Sequence, residues 1–580
     1  MGTRDLAHRI AVARGDAPAD AVLAGGRVLS VFTGELIEAD VVVAGEQVAA
    51  LGTPGTYRAD LVHDVSGMIL APGFIDGHMH VESTKLTPAE FARAALPHGT
   101  TTVVLDPHEV GNVLGARGIL ALLDLAEPGP LDFYAMASSC VPASSLETSA
   151  HTLDHEDIAK LLDSHPRIIG LAELMNFPAV VAGDPETLAK IEAAGGRHVD
   201  GHAPGLSGPG LNAYLAAGVQ SDHECTRLEE ALEKRRLGMW IMIREGSAAR
   251  NLRALIPLVL DHGPENCMLV TDDREPHDLL RDGHIDNALR IAVALGCPPE
   301  QAVAMATLHP ARYHGLRGHG AVAPGFLADV VALTDLRDFR PLRVWKRGRL
   351  AFDGERVAEF PAPEVPDWML RTMHARPVTE ERLRVEAGSG GLVRVMEVHA
   401  GQIVTGSLTA EPRIEDGAIV ADPARDLAKI AVAERHRETD RIGIGLVRGF
   451  GLREGALGST VAHDAHNVML VGTNDRDMAV AAGRLSELGG GQVVVRDGRV
   501  LAEVALPFAG LMSLEARDRV AAQVEALEAA AADCGATLHA PFMALSFLAL
   551  SVIPELKVTD LGLVDGVKFE LVPLELEVHP

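Results

Sequence analysis

From residue 68 to residue 316 the chain repeats one alternation eight times: a short β-forming segment, then a longer Ala- and Leu-rich pattern of helical period. The β-forming segments are 68–78, 100–108, 132–139, 167–175, 198–204, 218–224, 238–245 and 266–273. Eight such units in roughly 250 residues leave little choice of fold. Parallel strands must be joined by crossovers, and eight of them close into a (β/α)8 TIM barrel. Shorter strands with Gly turns lie on either side, in 1–67 and 317–356, and we expect them to combine into one discontinuous small β-sandwich domain. Prolines 361, 363, 366 and 377 mark 357–392 as a linker. Residues 393–580 alternate strands with helices and are long enough for an additional C-terminal α/β domain, so the fold class is α/β throughout. A chain with 47% hydrophobic and 23% charged residues can fill several such cores.

Charge then removes whole classes of function. Lys and Arg total 52 against 80 Asp and Glu, a net charge of −28, with no dense basic stripe, so a groove that tracks phosphates is excluded and nucleic acid is not expected as a partner. The first 24 residues mix Arg, Asp and His among apolar residues and lack the apolar run of a secretory signal, so we expect a cytoplasmic protein. The most apolar stretch, 542–553, lies between two prolines and is too short to span a bilayer, so no membrane partner is expected. Five scattered cysteines contain no C-x-x-C pair, which argues against disulfides and thiolate zinc sites. The 25 histidines stand out, and a His-rich, Cys-poor chain directs attention to imidazole and carboxylate ligands.

His78 and His80 end the first strand segment, and residues i and i+2 of a strand project to the same side. A single H-x-H is what chance supplies among 25 histidines in 580 residues. The other candidates carry the argument. Glu173 ends the fourth segment, His202 the fifth, His223 the sixth and Asp272 the eighth, and the carboxyl ends of barrel strands are where such folds collect catalytic groups. Any one of these residues could be a solvated or capping group, but five strand ends coinciding is hard to assign to accident. In the C-terminal region the run His463-Asp464-Ala465-His466-Asn467 suits either a further metal or a segment closing over the site, and a polar turn capping a strand would look the same.

The phrase MILAPGFIDGHMHVEST resembles the first-strand signature of the amidohydrolase superfamily. ALPHGTTTVVLDPHEVGNVLG, GLAELMNFP, DGHAPGL, SDHE, TDDREP, VAHDAHNVMLVGTND and PFAGLMS resemble the bacterial adenine deaminases within it, over nearly the whole chain. That resemblance implies a hydrolase that converts adenine to hypoxanthine and ammonia by a metal-activated hydroxide. It implies two divalent ions, Mn or Fe with Zn as a third option, with His78, His80 and Asp272 on one and His202 and His223 on the other. Many superfamily members bridge their ions with a carboxylated lysine from strand four. Residues 167–177 hold no lysine, so Glu173 takes that place. Asp272 is then ligand and base, and Glu109 and Asp273 are the candidate acids for the purine ring, with Glu245 a weaker third. Glu275 departs from the residue the family commonly carries after TDDR. A homo-oligomer, a dimer, is the expected assembly. The alternatives are a cyclic-amide hydrolase of the dihydropyrimidinase or dihydroorotase type and a non-catalytic amidohydrolase-like assembly protein. The missing lysine and the extra C-terminal region count against the first, and the complete ligand set against the second.

Overall fold

The computed structural model describes residues 3–388 and 391–576, so residues 1–2, 389–390 and 577–580 of the expected first domain, linker and last domain lie outside the described residues. Each of the eight expected segments contains a strand: β1 Phe74–Met79, β2 Thr100–Leu105, β3 Asp132–Ala137, β4 Ile168–Leu174, β5 His198–Gly201, β6 Ser221–Asp222, β7 Trp240–Arg244 and β8 Cys267–Val270. β1 to β5 pair in parallel as one arc and β6 to β8 as another. Two junctions join the arcs. Gln220 N–H donates to Val199 O at 2.9 Å between β5 and β6, and Asp272 N–H donates to His78 O at 3.1 Å between the ends of β8 and β1. The strands are almost wholly buried, as expected where helices cover a parallel sheet outside and side chains fill it inside.

The first expected strand, 68–78, is two strands. Ile69–Pro72 pairs antiparallel with Val330–Leu333 and parallel with Arg27–Leu29, whereas β1 belongs to the barrel. Gly73 lies at the crossing, where a Cβ would stand 2.2 Å from Thr101 Oγ1. A continuous apolar run carries no mark of where a chain leaves one sheet for another, and here the glycine was the mark. The six-stranded sheet containing Ile69–Pro72 faces a four-stranded sheet of Gln47–Gly52, Asp40–Ala44, Ala19–Ala24 and Ala59–Asp64. Leu23, Val41 and Val43 of the smaller sheet share a core with Val28, Leu70 and Trp345 of the larger.

Beyond residue 391 an eight-stranded sheet runs in the order Thr405–Ala410, Val393–Val398, Ile442–Arg448, Ala428–Ala433, Val468–Gly472, Ala456–Ser459, Gly491–Arg496, Arg499–Ala505. Alternate residues of its strands face two different cores. Ala431, Leu470 and Val493 pack under helix Asp475–Leu488, while Ile430, Val471 and Val494 face the side that carries helix Arg517–Asp533 and the barrel. That second core is continuous with Phe91, Leu86 and Leu279 of the barrel helices and loops.

The proline-rich segment expected as a linker is packed against this assembly. Met369 and Leu383 are fully buried, Thr379 caps a short helix at Glu380–Leu383, and Val385–Glu386 pairs with Ala418–Val420. Proline removes backbone donors but does not prevent burial of the residues between.

Candidate active site

The six residues singled out as ligands meet at the carboxyl end of the barrel, and none exposes more than 5% of its surface. Glu173 lies within β4, while His80, His202 and His223 follow directly on β1, β5 and β6, and Asp272 comes two residues after β8. Asp272 Oδ1 stands 3.1 Å from His80 Nε2 and 3.6 Å from His78 Nε2. Glu173 faces both groups: its Oε1 is 3.6 Å from His80 Nε2, and its Oε2 is 2.8 Å from His202 Nδ1 and 3.1 Å from His223 Nε2. One carboxylate thus offers one oxygen to each set of imidazoles.

These residues suit divalent cations. His78, His80 and Asp272, like His78, Glu173 and His223, present ligand atoms within 4.8 Å of one another, and His78 Nε2 is buried without a hydrogen-bond partner among the described residues. His80 Nδ1 lies 2.9 Å from Asp106 O, and a carbonyl only accepts, so Nδ1 carries the proton and Nε2 keeps its lone pair for a ligand role. Burial alone would raise the Asp272 and Glu173 carboxyls. Arg244 beside Asp272, and His223 and His202 beside Glu173, hold them well below the usual carboxylate range instead.

Several members of this site were not anticipated from the sequence. Arg244 Nη1 donates to Asp272 Oδ2 at 2.6 Å and to Glu224 Oε1 at 2.5 Å, while Nη2 donates to Glu224 Oε2 at 2.8 Å. Arg244 is therefore paired with Glu224 and Asp272 and not with its sequence neighbour Glu245. Adjacent residues of a strand point to opposite faces, and Glu245 instead adjoins Arg250 in a local bridge. His108 was also missed, although it precedes Glu109. Its Nδ1 is 3.6 Å from Glu173 Oε1 and 3.4 Å from Asp106 Oδ2.

Both candidate acids are present. Glu109, in the first turn of helix His108–Ala126, is fully buried rather than solvated, and Ser83 Oγ contacts both Glu109 Oε1, at 3.0 Å, and Asp273 Oδ1. Burial pushes the Glu109 carboxyl up. Burial and the facing Glu109 push Glu82 up to about 7. Glu275 takes no part: its Oε2 accepts from Lys85 Nζ at 2.5 Å, in a buried pair beside the junction where Ser513 N–H donates to Lys85 O.

The His463–Asn467 run reaches this site from the C-terminal sheet. Asp464 Oδ1 is 3.5 Å from His108 Nε2 and 3.4 Å from His463 Nδ1, and His466 Nε2 is 3.6 Å from Glu109 Oε2. The His463 ring stacks on Phe547 at 4.6 Å and 11°. Arg435, fully buried, fastens the run: its Nε donates to His466 O, its backbone N–H to Asn467 Oδ1 at 3.1 Å, and its Nη2 to Ala509 O at 2.9 Å. Asn467 Nδ2 donates across to Thr148 O of the barrel at 2.9 Å. A cavity of about 250 Å³ reaches Glu224 and Arg244 from outside, between the barrel residue Asn251 and Gln402 and Ile403 of the C-terminal region.

Residues 69–351 match the amidohydrolase family, and residues 402–570 match the adenine deaminase C-terminal domain. Adenine deaminase from Dehalococcoides mccartyi is 46% identical, over 98% of this chain and 99% of its own. The adenine deaminase of Brucella suis is 46% identical over 96% of this chain and 95% of its own, and that of Cereibacter sphaeroides 47% identical over 98% and 100%. Among the described residues no helix is long and apolar enough to cross a membrane. With a barrel of amidohydrolase type, a carboxylate between two sets of imidazoles, and near full-length identity of this level, the chain belongs to the adenine deaminase family.

Proposed function

We propose that this protein hydrolyses adenine to hypoxanthine and ammonia, with His78, His80, Glu173, His202, His223 and Asp272 holding two divalent cations, Mn or Fe before Zn. The observation that carries the reading is Glu173, whose two oxygens face the two sets of imidazoles where many of the superfamily carry a modified lysine. Two cations there would lower the pKa of water and offset the negative charge that develops on the substrate.

The chain's own groups account for the protons and the leaving group. Water oxygen bonds to C6 of the purine as its proton passes to Asp272, whose other oxygen Arg244 keeps in place. A ring nitrogen gains a proton as the tetrahedral centre forms, and Glu109 and Asp273, joined through Ser83, are the acids in position. The C6–N6 bond then breaks, the proton held by Asp272 goes to the nitrogen, ammonia leaves, and the C6 hydroxyl proton returns to the acid to give the carbonyl of hypoxanthine. The low solvent exposure of all these groups keeps competing water out. The cyclic-amide hydrolase alternative finds no support in the family assignment, and a scaffold without chemistry would not be expected to keep this ligand set. A cytoplasmic role in purine metabolism and a homodimer complete the proposal.

The test is an ammonia-release screen of Mn-reconstituted protein with adenine, adenosine, cytosine and dihydropyrimidines. Adenine should be turned over and adenosine should not. Comparable rates on adenosine, or release from a dihydropyrimidine alone, would overturn the reading.

A further inference from the structure

Asp464 has no part in the reaction as set out above, yet it is 1% exposed and neither carboxylate oxygen has a hydrogen-bond partner among the described residues. A carboxylate accepts several hydrogen bonds, and leaving such a group buried and unsatisfied is costly. His108 and His463 stand beside it at 3.5 and 3.4 Å, close enough to keep it ionised but outside hydrogen-bond geometry. Its surroundings are built rather than loose. Arg435 and Asn467 fasten the run on one side, Phe547 stacks on His463, and His463 N–H donates to Ser546 O at 3.1 Å.

Position narrows what could satisfy it. His108 Nε2 faces Asp464 while His108 Nδ1 faces Glu173 Oε1, so a single imidazole separates Asp464 from the carboxylate at the centre of the ligand set. A purine attacked at C6 extends its five-membered ring away from the reacting carbon. Free adenine carries one donor besides the departing amine, the N–H of that five-membered ring. The other ring nitrogens are acceptors, which a carboxylate repels.

We propose that Asp464, supplied by the C-terminal domain, accepts the imidazole-ring N–H of the base and so restricts the site to purines unsubstituted at that nitrogen. This rests on adenine being the substrate. An N9-substituted base lacks the donor, leaves the carboxylate unsatisfied and adds bulk beside it. A site built to hydrogen-bond a substrate N–H can reject the analogue lacking it by ~10⁴-fold or more.

The experiment compares wild type, Asp464→Asn and Asp464→Ala, all reconstituted with Mn and assayed for metal content. Each is tested for hypoxanthine binding, which involves no turnover, and for KM and kcat on adenine and 9-methyladenine. Loss of a hydrogen bond to a charged group should raise the hypoxanthine Kd and the adenine KM ~10–100-fold in Asp464→Ala, with a smaller change in kcat and with both metals retained. Asp464→Asn, which keeps an acceptor oxygen and the shape, should fall between. The preference for adenine over 9-methyladenine should shrink at least ~10-fold in Asp464→Ala. A lower kcat with unchanged KM and hypoxanthine Kd would mean that Asp464 only orients His108, and loss of a metal ion would make it a ligand. Either result overturns the assignment. Wild type that releases no ammonia from adenine would overturn the proposed function with it, whereas normal adenine turnover with unaltered constants in the variants would overturn this assignment alone.

Discussion

At the barrel mouth three buried cations face carboxylates, Arg244 donating to Glu224 and Asp272, Lys85 to Glu275, and Lys234 to Asp222 and Glu230, while a fourth, Arg274, donates to the carbonyls of Gly246, Asp278 and Gly283. Beside the same site on the C-terminal side, Arg435 donates to the carbonyls of His466 and Ala509, and Lys557 to those of Ile403 and Phe547, with no carboxylate within ion-pair distance among the described residues. The two halves solve different problems. On the proposed function the barrel gathers carboxylates around metal ions, and it needs positive charge to hold them ionised in a dry place. The C-terminal half must hold irregular backbone near those carboxylates, and a cation bonded to carbonyls fixes a loop without adding another negative group.

The largest effect should come from the carboxylate on which the barrel half depends. Glu173→Ala leaves nothing to face both sets of imidazoles, so the protein should lose at least one of two metals and nearly all turnover. Affinity should drop at least ~10–100-fold, visible in a metal titration as well as in kinetics. Two tightly held ions per chain in that variant would refute the bridging assignment and the alignment of strand four with it. Glu109→Gln should behave differently, keeping both metals and losing ~10²–10⁴ in kcat, as removal of a general acid does. An unchanged rate would pass the acid's role to Asp273.

The next comparison sets one cation of each half against the other. Arg244→Met strands Glu224 and frees Asp272, and breaking a buried ion pair costs ~3–5 kcal/mol. Arg435→Met leaves the carbonyls of His466, Ala509 and Thr372 without this donor but strands no charge, so it should cost ~1–3 kcal/mol and act mainly through the His463–Asn467 run. Chemical denaturation of the two variants checks the order, and equal losses would dissolve the distinction between the halves. Deleting residues 393–580 would be a poorer probe than these substitutions or His463→Ala. Phe91 and Leu86 of the barrel share a core with Val494 and Val520, and truncation would expose it.

The barrel half was far more legible in the sequence, for physical reasons. A strand-end position recurs with the βα period, so Glu173, His202, His223 and Asp272 could be placed without knowing any contact. Arg244 could not, because its carboxylate partners lie 20 and 28 residues away while its sequence neighbour Glu245 is sent to the opposite face. His108 opens a helix and Asp464 lies on a turn, where no strand period applies, and their meeting depends on how two sheets dock. The His463–Asn467 run stood out by composition, but composition left open whether it was a site or a polar turn. Its fastening by Arg435, some thirty residues away and flanked by Glu434 and His436, carries no local signal.

The smallest effect concerns Lys557, and it tests whether the carbonyl-held half responds to pH as its chemistry requires. Burial, with no carboxylate to oppose it, lowers the Lys557 amine from its ordinary 10.5 to about 7. Above pH 7 the folded protein therefore holds this lysine neutral, and a neutral amine still has two hydrogens for Ile403 O and Phe547 O. The unfolded chain keeps its proton up to the ordinary value. Between about pH 7 and 10.5 the unfolded state thus binds more protons than the folded one, and stability rises with pH by up to ~1.4 kcal/mol per pH unit from this group. Below pH 7 both states are protonated and the contribution is flat, at its least favourable. Lys557→Met removes the term, so the difference between wild type and variant should shift in favour of wild type across that window. The measurement is the pH dependence of apparent Tm from 6 to 10 for Lys557→Met and wild type. Parallel curves for wild type and Lys557→Met would show that water or rearrangement reaches the amine, and that this half is not as dry as the barrel half it covers.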